Sequence, residues 1–355
     1  MDLYRDTARL ALLPLSAVHE AILSDLDPQA GGVSWWAGHL DTPRRILIGD
    51  YLLSLTRSTE DNLVEAAMHV HRFSEAQEAE TQWFKRRALT RSLRGERWLD
   101  PDRETANRRV EAEAHLGGFF RAVGSVMDNL AGLVIGVAGL STKIVRADIS
   151  HLSLDKPSPK GALPDGLPGR AVQLELIGEL KAAINDGPED WLPWLDHMRN
   201  TLVHRARRLT FSLQDPRQPS GFLHPLCQAP DWTDAEAIAR SGGRPLADCL
   251  TEDATVTMQG ALLTAVNVTR LCASAAARTW AERRTKPDLI MQPQQQWPQL
   301  ANGRQTNFQG WDPGRLPKLV PNSSLLIHPS RARRIQAGLF SNESRPQWSA
   351  WLRES

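Results

Sequence analysis

Between Arg103 and Ser141 apolar side chains return every three or four residues: Val110, Phe119, Phe120, Val123, Val126, Met127, Leu130 and Val134. That period over that length predicts one long helix. A helix so long cannot leave its apolar stripe in water, so it needs partner helices. Asp102 stands where an N-cap belongs. Gly117-Gly118 predicts either a bend or a close crossing with another helix.

The partners are legible on both sides. Ser58-Thr59-Glu60-Asp61 predicts a helix start, and Leu63, Ala66, Ala67, Val70 and Phe73 continue at helical spacing to about Arg91. Further helices are predicted over about 169–185, 189–212 and 252–284. The four helices between 103 and 285 are expected to share one core, for which a bundle is the economical arrangement. Residues 1–57 read as helical but broken, with Pro14 interrupting the first helix and Thr42-Pro43 opening another. Gly31 to Trp36, 148–168 and 214–251 read as loops or irregular segments. Prolines and glutamines dominate from 286 to 321, and Leu325-Leu326-Ile327 could form a short strand. The expected organisation is an all-α chain in three parts: a helical extension over 1–100, a helical bundle over 101–285, and a Pro/Gln-rich irregular segment over 286–355.

Composition narrows the function classes. The 355 residues carry 42 basic and 41 acidic side chains, a net charge of +1. Any nucleic-acid contact must therefore come from a local patch rather than from the field of the whole protein. Cys227, Cys249 and Cys272 are odd in number and far apart, which argues against a disulfide framework or a zinc site. There is no basic-then-apolar leader, and the longest apolar stretch, Leu130 to Leu140, is about half of what a bilayer crossing needs. The expectation is a cytoplasmic protein without membrane contact. No phosphate-cradling glycine loop and no Gly-x-Ser-x-Gly elbow occurs, and neither a cofactor nor a metal is expected.

The segment that offers chemistry is Arg199-Asn200-Thr201-Leu202-Val203-His204. At 100° per residue, Trp191, Trp194, Leu195, Met198 and Leu202 cluster on one face. Asp196, Asn200, His204 and Arg207 fall within about 80° of one another on the other, with Arg199 on the border. Arg199, Arg205, Arg207 and Arg208 form a basic run without an intervening acid, suited to a phosphate backbone. RNA supplies its own nucleophile, the 2′-hydroxyl. A histidine titrating near neutrality can move its proton, and an arginine fork can stabilise charge on the attacked phosphate. Such a cleavage leaves a 2′,3′-cyclic phosphate and a 5′-hydroxyl and needs no metal.

Arg, a polar residue, three variable residues and His resemble the motif of the HEPN ribonucleases. The flanking words Leu195-Asp196-His197-Met198 and Leu202-Val203-His204-Arg205 are similar to that family's motif helix, and Met127-Asp128-Asn129-Leu130-Ala131 to its opening helix. The resemblance covers about 103–285. It implies an endoribonuclease that dimerises so that two motifs face one cleft, and a toxin or antiphage effector held in check by an antitoxin or another regulatory protein. It implies Arg199, His204 and Asn200 as catalytic residues. Arg205, Arg207 and Arg208 are candidates to hold the RNA, with Asp196 and Asp128 as possible supports. A second match, Arg146 to His151, has alanine after the arginine and runs into a proline-rich loop. It reads as coincidence. Two alternatives stand beside the enzyme: a HEPN-like module that binds RNA or nucleotide, or assembles, without cleaving, and a helical interaction protein in which the motif is accidental.

Overall fold

The structure is a computed structural model that describes residues 2–25, 42–89, 102–142, 144, 147–204, 213–214, 222–223, 225–227 and 250–286. These residues are mostly helical. In chain order the helices are α1 (Asp2–Asp25), α2 (Thr42–Leu89), α3 (Arg103–Ala138), α4 (Pro168–Asn185), α5 (Trp191–His204) and α6 (Ala254–Thr285), with a 3-10 turn at Ile149–Leu152. Two short antiparallel ladders, β1 (Leu213–Gln214) with β2 (Phe222–Leu223) and β3 (Pro225–Cys227) with β4 (Leu250–Asp253), lie between α5 and α6. The expectation of irregular chain over 214–251 thus misses two strand pairs. The tail beyond Lys286, the Gly31–Trp36 loop and the Leu325–Ile327 strand lie outside the described residues.

α3 starts where its sequence says. Asp102 Oδ1 accepts the Thr105 N–H at 2.8 Å. It ends at Gly139, which takes φ +64° and returns its N–H to the last turn. Its second half is sheathed on every side, from Leu130 through Leu140. By length and composition α3 and α6 could cross a membrane, but 78% and 50% of their apolar windows are buried within the protein itself. The apolar run at Leu130–Leu140 is therefore the end of one longer apolar helix, and α6 is a second.

Two sequence expectations fail at helix interiors. Pro14 does not interrupt α1, which runs through it. The carbonyl that Pro14 leaves unbonded belongs to Leu10, which is 68% exposed, so water can replace the lost N–H. Ser58 and Thr59 do not start a helix either, because α2 is continuous across them. Their neighbourhood is turned back on its own helix: Thr56 and Thr59 hydroxyls donate to the Leu53 and Leu55 carbonyls, and Asn62 Nδ2 donates to the Ser58 carbonyl.

Ala8, Val18 and Ile22 of α1, Leu52, Leu63 and Val70 of α2, and the apolar faces of α3, α4, α5 and α6 form one core. α2 lies along α3, and α1 covers α2 and α6. The tie between α1 and α6 is polar and centres on the buried carboxylate of Asp25. Trp280 Nε1–H donates to Asp25 Oδ2 at 2.7 Å, and Arg284 Nη1 lies 2.7 Å from Oδ1. Burial pushes the Asp25 carboxyl up from its ordinary value, against the Trp280 bond and the Arg284 charge.

Where α2 crosses α3, the His69 ring occupies the space above Gly118. A Cβ on that glycine would come within 2.4 Å of the ring. His69 Nδ1 meets His115 Nδ1 at 2.9 Å, so one of the two rings must be neutral there. Glu65 lies 3.4 Å from His69 Nε2 and also pairs with Arg121. Burial holds the His69 pKa below 6.5; Glu65 opposes this, and His115 and Arg121 add to it. The unfolded chain therefore takes up the proton first. This contribution to stability is whole above about pH 6.5 and drains away as the pH falls toward the folded pKa. Urea unfolding between about pH 8 and pH 5 should show it, and His69→Phe should flatten the slope.

Candidate active site

α5 displays the faces expected of it. Trp191, Leu195 and Met198 are buried, and Trp194 and Leu202 pack against the core. Trp194 meets Phe120 of α3 edge-on at 5.5 Å between ring centroids. The Trp191 Nε1–H caps the Ile184 carbonyl at 2.8 Å and so fixes the turn between α4 and α5. With that face anchored, Asp196 and Asn200 point to solvent. Asn200 Nδ2 donates to Asp196 Oδ2 one turn earlier, at 3.1 Å.

Arg199 is on the border, and its side chain crosses to α3. Its stem lies over Gly124, where a Cβ would stand 2.6 Å from Arg199 Cδ. Nη1 then donates to Asp128 Oδ2 at 2.7 Å. Gly124 and Asp128 are one helical turn apart on α3, so the first provides the slot and the second the anchor. The pair is only partly screened by solvent, with side chains 31% and 23% exposed. The guanidinium keeps further N–H donors beyond the one given to Asp128.

Asp128 has a second task. Its Oδ1 accepts the backbone N–H of Ile149 at 3.3 Å, which fastens the 3-10 turn to α3. Asp148 caps that turn, taking the Ser150 N–H and hydroxyl at 2.9 and 2.6 Å. Burial would raise the Asp148 carboxyl, but the bonds from Ser150 and His151 outweigh it and hold the pKa below its ordinary value.

The structure thus brings together Arg199 and Asp128, and separately Asn200 and Asp196. α5 ends at His204, whose side chain is outside the described residues, as are Arg205, Arg207 and Arg208. Arg146 is outside them too, while His151 sits in the 3-10 turn. Sequence reasoning missed Gly124. The signal was a glycine in a helix interior, which costs stability unless something needs the space.

Replacing Gly124 with alanine should dislodge Arg199, since the stem and a methyl group cannot share the slot. A double-mutant cycle with Arg199→Ala and Asp128→Ala should return a coupling of about 1 kcal/mol in thermal or urea unfolding. A coupling near zero would mean that the ion pair contributes nothing in solution. Comparison with protein-family models, with curated proteins and with solved structures finds no match for this chain, and its site stands on its own geometry.

Proposed function

We propose that the chain is a metal-independent endoribonuclease of HEPN type. The observation that carries this reading is the placement of Arg199. It is partly exposed and anchored by Asp128 across Gly124, on a helix that also presents Asn200 and ends at His204. An arginine fixed at its stem has lost little further freedom when it meets a phosphate, which favours binding of the transition state.

In the mechanism, His204 takes the proton from the 2′-hydroxyl. The 2′-oxygen attacks phosphorus, and Arg199 stabilises the charge that gathers on the phosphoryl oxygens. Asn200, held by Asp196, supports the substrate's geometry. Arg205, Arg207 and Arg208 hold the flanking backbone. The products are a 2′,3′-cyclic phosphate and a 5′-hydroxyl end. The biological role that fits is a toxin or antiphage effector, acting as a homodimer and restrained by an antitoxin or regulatory protein.

One observation favours a second reading. Arg199 already has a carboxylate partner, as an arginine that only ties two helices would. On that reading the chain is a HEPN-like module that binds RNA or nucleotide, or assembles, without cleavage.

The assay is cleavage of total cellular RNA in EDTA by wild type, Arg199→Ala and His204→Ala. Wild type should leave cyclic-phosphate ends, and each variant should lose at least about 100-fold in rate. Variants that cut as fast as wild type would remove Arg199 and His204 from the chemistry. An inert wild type that still binds RNA would establish the second reading instead.

A further inference from the structure

We propose that His151 is a second acid–base residue of the same site, the one that delivers a proton to the departing 5′-oxygen. The proposal rests on the endoribonuclease reading above. It assigns to His151 a role that its sequence context, a fraying Arg146–His151 match, did not suggest.

The chemistry calls for two groups. As the 2′-oxygen bonds to phosphorus, its proton passes to His204. As the bond from phosphorus to the 5′-oxygen breaks, that oxygen takes the electron pair and must receive a proton. A single imidazole cannot accept the first proton and deliver the second in one step. With His151 as donor the step balances: one proton is taken, one is given, and cyclic phosphate and 5′-hydroxyl leave with no further reactant. Exchange with water resets both rings.

The geometry fastens the turn that carries His151 next to Arg199. One carboxylate serves both. Asp128 Oδ2 receives Arg199, and Oδ1 receives the N–H of Ile149, the first residue of the turn in which His151 is the third. The guanidinium and the turn are thus separated by a single side chain on the most deeply buried helix of the fold.

The ring is held in a way that suits proton transfer. His151 Nδ1 lies 2.9 Å from Asp148 Oδ1 and 3.3 Å from the Asp148 backbone N–H. With a proton on Nδ1 it donates to the carboxylate. Without one, it accepts from the N–H. Either way the ring keeps its position. Ser150 also donates twice to the same oxygen, which keeps Asp148 anionic. With Nδ1 engaged by Asp148, Nε2 is the nitrogen left to exchange a proton with a substrate. The side chain is 33% exposed, in contrast to His69, whose ring fills space between helices at 12%.

The test uses two RNA dinucleotides, one natural and one with sulfur in place of the scissile 5′-oxygen. A thiolate leaves without being protonated, because its conjugate acid is far stronger than an alcohol. His151→Asn keeps a side chain able to cap Asp148. It should cut the natural dinucleotide about 100-fold more slowly than wild type and the sulfur substrate at nearly the wild-type rate. His204→Ala should stay slow on both. If His151→Asn cuts the natural dinucleotide at the wild-type rate, or is equally slow on both, His151 is not the acid. His151→Gln, with melting curves for both variants, separates that result from a loss of fold. A wild type that cuts neither substrate removes the endoribonuclease reading, and the proposal with it. A wild type that cuts while His151→Asn is unaffected removes the proposal alone.

Discussion

The burial of α3 is the constraint on which the rest depends. From Leu130 to Ala138 this helix shows almost no surface to water, and just before it Asp128 and Asn129 are the only polar side chains between Met127 and Leu140. A polar group in such a place must be bonded or it destabilises the fold. Asp128 satisfies the requirement by reaching out to two neighbours, α5 through Arg199 and the 3-10 turn through Ile149. The candidate site is therefore a by-product of how an apolar helix accommodates one carboxylate. The end of α3 is treated similarly. Arg283, buried and with its pKa lowered by burial to about 10, donates to the Val137 carbonyl in the last turn. A cation at a helix C-terminus meets the negative end of the dipole, which offsets part of its desolvation.

Small residues decide how closely the partners approach. Gly118 receives the His69 ring from α2, and Gly124 receives the Arg199 stem from α5. α3 is a rod notched at these two glycines and again at Gly136, which receives Leu52 of α2. The same device sets the helix spacing and the placement of a titratable ring or a guanidinium. Packing and electrostatics cannot be altered separately at either position.

The helices of 103–285 were legible because their apolar residues repeat at one period, and the longest of them opens on its cap, Asp102. The faces of α5 were legible for the same reason, down to Arg199 on the border. What the sequence hid is mostly long-range. Nothing local in α1 or α2 says that they share the core of α3. Their interiors contain Pro14 and Ser58-Thr59, residues that locally signal breaks and that tertiary packing overrides. The pairing of Asp128 with Arg199 spans 71 residues, and neither residue type is specific enough to announce it. His151 looked accidental because motif spacing presumes a helix, whereas its turn reaches the site through the backbone N–H of Ile149.

The Asp25–Trp280 hydrogen bond joins residues 255 positions apart. α1 leaves the ribosome well before α6, yet its buried carboxylate and much of its apolar face wait for that helix. Until α6 emerges, the apolar surface of α1 and α2 that packs against it stays exposed. Such a chain completes its core late and all at once, in the manner of folds rich in non-local contacts. Truncation before residue 254 would therefore strip the cover from α1, far up the chain from the cut.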